Sequence, residues 1–191
     1  MMLDHLETLE SQSIYIIREA YNRLERLGML WSLGKDSNVM LWLCRKAFLG
    51  HVPFPVVHVD TKRKFAEMYE FRDRYAKEWG LNLIVGDCPP IEDMDDNLPP
   101  AARSAARKTA GLKSLLAREG FTGVFAGIRR DEESTRAKER VFSPRGEAGQ
   151  WHFRDQPPEF WDQFKTDFPS GTHIRIHPLL HWSEIDVWLY T

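Results

Sequence analysis

The chain has 191 residues, 42% apolar and 28% charged, with a formal net charge of −2. These values suit one domain, or one domain with an appendage, and exclude a polyelectrolyte that seeks nucleic acid by overall charge. No apolar run nears the roughly 20 residues of a membrane span, and no signal peptide is visible. Cys44 and Cys88 form neither a disulfide framework nor a metal motif, so a reducing, cytoplasmic setting is expected.

Leu3 to Arg26 has helical spacing, with Leu6, Leu9, Ile14, Ile17, Tyr21 and Leu24 as its apolar stripe. Leu27 to Trp31 reads as a short buried strand, and Asn38 to Phe48 as a helix with Val39, Met40, Leu43 and Ala47 on one face. Between them stands Ser32-Leu33-Gly34-Lys35-Asp36-Ser37. A strand, a tight turn and a helix start aim backbone N–H groups and the positive end of the helix dipole at one spot. Gly34 allows an anion to approach, Ser32 and Ser37 can add hydroxyl donors, and Lys35 adds a cation. Asp36 can cap the helix or hold Mg²⁺ against phosphates. The pattern is not the Walker A loop, and it reads either as a phosphate cradle or as a plain well-capped turn.

Val56 to Thr61 is a second strand, whose Asp60 stands at the carboxyl end, where parallel sheets place ligands; capping the next helix is its other reading. His58 reads as a packed residue. A helix over Lys64 to Trp79 and a strand over Leu81 to Val85 follow. Gly86 to Pro100, with four prolines and a cluster of acids, reads as a solvated loop, and Cys88 within it as exposed. Ala101 to Glu119 is a helix with Arg103, Arg107, Lys108 and Lys113 on a basic face. Phe121 to Ile128 reads as a strand thinned at its end by Gly127, which permits close approach of a ligand. Arg129 and Arg130 then read as a clamp for a tetrahedral oxyanion, or as the start of a helix laced with ion pairs, since Arg129 to Arg140 holds five cations and four carboxylates. Val141 to Thr172 reads as a loop whose aromatics form a lid or a satellite core. His173 to Leu179 is a fifth strand, and Ser183 caps a helix from Glu184 to Tyr190. The alternation predicts an α/β fold: an open, mostly parallel sheet with helices on both faces.

The runs SLGKDSNVML, PFPVVHVDT, EMYEFRDR and RRDEESTRAKER together resemble the small, adenylyltransferase subunit of the bacterial two-subunit sulfate adenylyltransferases, a PP-loop group related to the phosphoadenylyl-sulfate reductases. Matching stretches span almost the whole chain. The resemblance implies an adenine-nucleotide α-hydrolase-like sheet in a single PP-loop domain over 1–191, without the family's C-terminal extension. It implies ATP and Mg²⁺ as cofactors, sulfate as acceptor, adenylyl sulfate and pyrophosphate as products, and a GTPase subunit as partner. Ser32, Leu33, Gly34, Lys35, Asp36 and Ser37 would grip the pyrophosphate part of ATP, with Gly127 beside them. Val57, His58, Val59 and Asp60 would stand near the nucleoside. Lys35, Arg129 and Arg130 would be catalytic, with no metal held by protein ligands alone. The chain departs from the family at Lys62-Arg63 and over Ile91 to Arg107. Two other readings stay open: another PP-loop branch, such as a reductase or a sulfur transferase, and a nucleotide-binding module without turnover.

Overall fold

The structure is a computed structural model and describes residues 4–146 and 150–191. Leu3, the expected start of the first helix, lies outside the described residues, as do 147–149 of the segment read as a loop. Among the described residues, five α-helices and six strands run in the order α1 (His5–Arg23), β1 (Leu27–Leu30), α2 (Lys35–Ala47), β2 (Val56–Asp60), α3 (Ala66–Glu78), β3 (Leu83–Asp87), α4 (Pro100–Glu119), β4 (Gly123–Phe125), β5 (Phe142–Arg145), β6 (His173–Ile176) and α5 (Glu184–Tyr190). The sheet order is β3-β2-β1-β4-β6-β5, parallel except for β5, which pairs antiparallel with β6. After β1 the chain builds outward through β2 and β3, then returns to place β4 on the other side of β1. The point where strand order reverses therefore lies between β1 and β4, and a crevice opens there at the carboxyl ends.

The two faces are covered unequally. Right-handed crossovers put α2 and α3 on one face and send α4 to the other. α1 and α5 pack against α2. Met29, Val56, Phe125, Phe142, Ile174 and Ile176 point into this helical layer and are almost wholly buried there with Ile16, Ile17, Met40 and Leu43. Each such side chain contributes about 1.5–3 kcal/mol. The opposite face is covered by α4 over β2 and β3, where Gly86 lets Leu115 sit against the strand.

Local chemistry explains most element boundaries. α1 starts with a capping box, in which Asp4 accepts from the Glu7 N–H and Glu7 accepts from the Asp4 N–H. Ser183 and Asp186 form the same motif at α5. α4 begins with Pro100 in its first turn and ends at Gly120, whose φ of +65° is the left-handed stop that glycine favours.

The structure corrects several expectations. The buried stripe of α1 is Leu9, Ser13, Ile16, Ile17 and Ala20, with Tyr21 half exposed. Asp60 does not cap α3, whose N-cap is Phe65. Cys88 is buried, because Gly111 of α4 packs directly on its backbone. The segment from Arg129 to Arg140 forms only a 3-10 turn over Ser134–Lys138; Arg136 pairs with Glu133 within the segment, while Arg129 also pairs with Asp36 outside it. The stretch read as a loop contributes the edge strand β5. Pro144 stands within it, opposite Ile174, and an edge position tolerates its missing N–H. The aromatics beyond β5 are in part a satellite core: Phe164 packs on Tyr15 and Phe142, while Trp161 is exposed.

Candidate functional site

The loop after β1 is built to leave donors free. Leu33 takes a left-handed φ of +70°, a conformation that costs a leucine about 1–2 kcal/mol. Gly34 is the N-cap of α2 and offers no side chain to cap it. The first intrahelical bond of the turn runs from the Asn38 N–H to the Gly34 carbonyl. The N–H groups of Lys35, Asp36 and Ser37 have no acceptor among the described residues. Such groups at a helix start favour an anion. The Ser32 and Ser37 hydroxyls lie 3.0 Å apart, and the Ser37 hydroxyl donates to the Gly34 carbonyl at 2.9 Å. Beneath the loop, the buried Trp31 indole donates to Asn38 Oδ1 at 2.8 Å and fixes the turn to the helix. Gly127 faces the loop from just beyond the end of β4. A Cβ there would stand 3.4 Å from the Ser37 nitrogen, so glycine keeps that N–H open.

The crevice over this loop has two contiguous parts. On the β1–β2 side, a cavity of about 430 Å³ is floored by Leu30, Val57, Val59 and Leu112, with Thr61 and the cations Arg63, Lys64 and Lys108 around it. On the β4–β6 side, a cavity of about 460 Å³ is lined by Ser32, Asp36, Ser37, Gly127, Glu132 and three arginines, Arg136, Arg145 and Arg175. Leu30, Ser32 and Leu112 line both parts. A larger hollow of about 760 Å³ lies at the opposite end, around Arg26, Pro53 and Phe121. It faces the amino ends of the strands, where a parallel sheet does not gather ligands.

The expected site residues divide by strand direction. Val57 and Val59 line the crevice, whereas His58 and Asp60 alternate to the helical face. His58 is fully buried, with Nδ1 2.8 Å from the Trp31 carbonyl; burial, opposed by that carbonyl, pushes its pKa down. Asp60 accepts from the Lys62 N–H at 2.7 Å and from the Tyr69 hydroxyl at 2.9 Å. Burial works against its ionisation, but these donors outweigh it and hold the carboxyl below its ordinary range.

Arg129 and Arg130 do not converge as a clamp. Arg129 is 3% exposed and donates to Asp36 on α2 and to Asp131, at 2.9 Å for the latter, with Glu184 of α5 4.0 Å away. Asp131 in turn accepts from the Glu184 N–H at 2.7 Å. Arg129 thus ties the loop helix to the start of α5, its charge already met by carboxylates. Arg130 turns away to His181, at 2.9 Å, and to the Glu139 carbonyl. Lys35 leans to the helical side, 3.3 Å from both Asp36 and Glu184. Sequence spacing did not reveal Arg145 and Arg175; only the register of β5 on β6, which sets Ser143 opposite Arg175 and Arg145 opposite His173, brings them to one face. The basic face of α4 is in part turned inward: Arg107 donates to the carbonyls of Pro89 and Thr61, and Lys108 reaches the crevice.

Magnesium in nucleotide sites uses one or two carboxylates together with substrate phosphates. Asp36 and Glu132 line the crevice, but Arg129 and Lys35 engage Asp36. No group of three or more His, Cys, Asp or Glu side chains that could hold a metal ion occurs among the described residues. Both cysteines are buried, and burial pushes both thiols above their ordinary range, as it would for a packed rather than a reactive thiol. No helix among the described residues is long and apolar enough to cross a membrane.

Comparison with known proteins places this geometry. The chain is 48% identical to sulfate adenylyltransferase subunit 2 of Zymomonas mobilis over 98% of its length, and 46% identical to that of Pseudoalteromonas translucida over all of it. It spans 64% and 65% of those two proteins. Among solved structures, FMN adenylyltransferase from Candida glabrata in complex with ATP has a TM-score of 0.63 at 16% identity, covering 98% of this chain and 57% of that one. Phosphoadenylyl-sulfate reductase from Candida auris, in a phosphate complex, also has a TM-score of 0.63 at 16% identity, covering 100% and 86%. These two likenesses show the shared PP-loop fold. The family model of the phosphoadenosine phosphosulfate reductase domain matches residues 26–191, from the start of β1 through α5 and so across the loop and both halves of the crevice, and the chain belongs to that family.

Proposed function

We propose that this chain transfers the adenylyl group of ATP to sulfate, as the names of these relatives suggest, releasing adenylyl sulfate and pyrophosphate. The observation that carries the reading is the row of unpartnered N–H groups at Lys35, Asp36 and Ser37, opening into a crevice with an apolar floor on the β1–β2 side, rimmed by Arg63, Lys64 and Lys108, and three arginines beside Asp36 and Glu132 on the β4–β6 side. In this reading the adenosine lies over Leu30, Val57, Val59 and Leu112, and the pyrophosphate portion meets the loop N–H groups with Gly127 alongside. A sulfate oxygen attacks the α-phosphorus; a new P–O bond forms, the bond to the β-phosphate oxygen breaks, and pyrophosphate leaves with the electron pair. Sulfate is already ionised, so no general base is required. The protein's work is positioning, together with stabilising the charge that spreads in the transition state. Lys35 contributes positive charge at the loop. Arg129 acts through Asp36 by holding the loop in place. Magnesium is proposed to come with the nucleotide, bound mainly by its phosphates.

The relatives' name, subunit 2, supports assembly with another subunit, which we take to be a GTPase that drives the reaction. The test is release of pyrophosphate from ATP and magnesium, with and without sulfate and a GTPase subunit. Release that requires sulfate is expected; release at the same rate without sulfate overturns the proposal.

A further inference from the structure

The β4–β6 half of the crevice holds charge that the binding of ATP at the loop does not account for. Arg175 rises from the middle of β6 and Arg145 from the edge strand β5, on the same face of the sheet, and both line the cavity that ends at the loop. Arg136 enters from the 3-10 turn above. Arg145 is 10% exposed in its side chain and donates to the fully buried Glu139 at 2.9 Å, while its Nε is buried without a partner. Arg136 lies 4.0 Å from Glu139 and 3.1 Å from Glu133. Arg175 has no carboxylate within 4.0 Å among the described residues. The remaining acids on the cavity wall are Asp36, which Arg129 engages, and Glu132, which is exposed. Arg145 thus holds the buried Glu139, Arg136 divides between Glu139 and Glu133, and Arg175 pairs with neither. Burial pushes the pKa of Arg175 down to about 10, and the positive charge of Arg145 adds to the effect, a strain that a bound anion would relieve.

We propose that Arg145 and Arg175, with Arg136 at the rim, seat the acceptor sulfate, and that Arg129 and Arg130 do not. The inference rests on the adenylyl-transfer reading for the identity of the anion. Its geometry is independent of that reading. A sulfate offers two or more oxygens to each planar guanidinium fork, a match that lysine cannot reproduce. The apolar floor of the β1–β2 part of the crevice lies across the loop from these arginines, so nucleoside and acceptor approach the α-phosphate from different strands.

Steady-state kinetics of sulfate-dependent pyrophosphate release, in the complex with the partner subunit, test the proposal. Arg175→Gln should raise KM for sulfate about 10- to 100-fold, the loss expected for a charge-assisted contact, with KM for ATP changed less than about twofold. Arg175→Lys should recover only part of it. Arg145→Gln should act in the same direction, but it also strips Glu139 of its hydrogen bond and can unfold the chain, so Arg175 carries the decision. An unchanged sulfate KM in Arg175→Gln, or an equal rise in KM for ATP, overturns the assignment. If the wild type releases pyrophosphate without need of sulfate, the adenylyl-transfer reading falls separately. Thermal melting in sodium sulfate against sodium chloride at equal ionic strength then decides the anion seat. A sulfate-specific rise in Tm that Arg175→Gln abolishes supports it, and a rise in both proteins, or in neither, overturns it.

Discussion

Replacing Arg129 with methionine should destabilise the chain by about 2–3 kcal/mol. Removing one partner of a fully buried ion pair costs about 3–5 kcal/mol, because the remaining charge is stranded. Arg129 is 3% exposed, but its partners Asp36 and Asp131 are 21% and 40% exposed in their side chains. Water therefore screens part of the stranded charge, which brings the figure down. Methionine keeps the packing of the aliphatic stem, so the loss reports the guanidinium and its carboxylates. Urea unfolding at neutral pH measures it as a fall in midpoint at constant slope. A double-mutant cycle with Asp36→Asn should give a coupling of at least about 1 kcal/mol. KM for ATP should rise as the loop loses its tie to α5, while KM for sulfate should move far less than in Arg175→Gln. A stability loss under about 0.5 kcal/mol, with additive effects of the two substitutions, would refute the role of Arg129 as a strut.

Lys35→Ala should weaken ATP binding in calorimetry yet change stability by less than about 1 kcal/mol, since its ion pairs with Asp36 and Glu184 are partly exposed; unchanged affinity would remove the lysine from the nucleotide site. Gly86→Ala should lower the urea midpoint, at a cost of about 1–3 kcal/mol, because the new Cβ would lie 2.0 Å from Cδ1 of the buried Leu115; a neutral result would mean that α4 does not press on β3 there. Burial holds His173 and His177 neutral, pushing their pKa values down to about 4 and about 3, the nearby charge of Arg175 adding to the shift at His173 and the Arg140 carbonyl opposing it at His177. The unfolded chain, with histidines titrating at about 6.5, binds more protons below that value, so stability should fall as pH drops from about 6.5 toward 4. Asp60 and Asp186, both held below the ordinary carboxylate range, add their own loss only at lower pH. Urea midpoints at pH 7, 6 and 5 check this, with a shallower slope expected in His173→Asn.

What could be read from residues alone was the succession of strands and helices, and with it the parallel sheet and the loop between β1 and α2. That information is local: an apolar period of two or 3.6 lies within one element, and the run from Ser32 to Ser37 announces a turn and a helix start by its own composition. The edge strand β5 escaped notice because Pro144 sits inside a four-residue strand, and its pairing partner lies about thirty residues further on. The other strands could be located, though the apolar pattern sets the third two residues early and draws those at Phe121 and His173 too long; which side chains of β2 face the crevice could not be read, so Val57 and Val59 could not be told from His58 and Asp60 until the sheet had faces. The same limit governs the arginines. Arg129 and Arg130 are neighbours in sequence and part in space, because Asp36 of α2 and Asp131 hold Arg129 while Arg130 turns to His181. Arg145 and Arg175 are distant in sequence and meet, because antiparallel register places them on one face of adjacent strands. Charge convergence is a property of non-local pairing, which composition and spacing do not encode; the phosphate loop was visible in the sequence, and the cationic half of its crevice existed only once the sheet had closed.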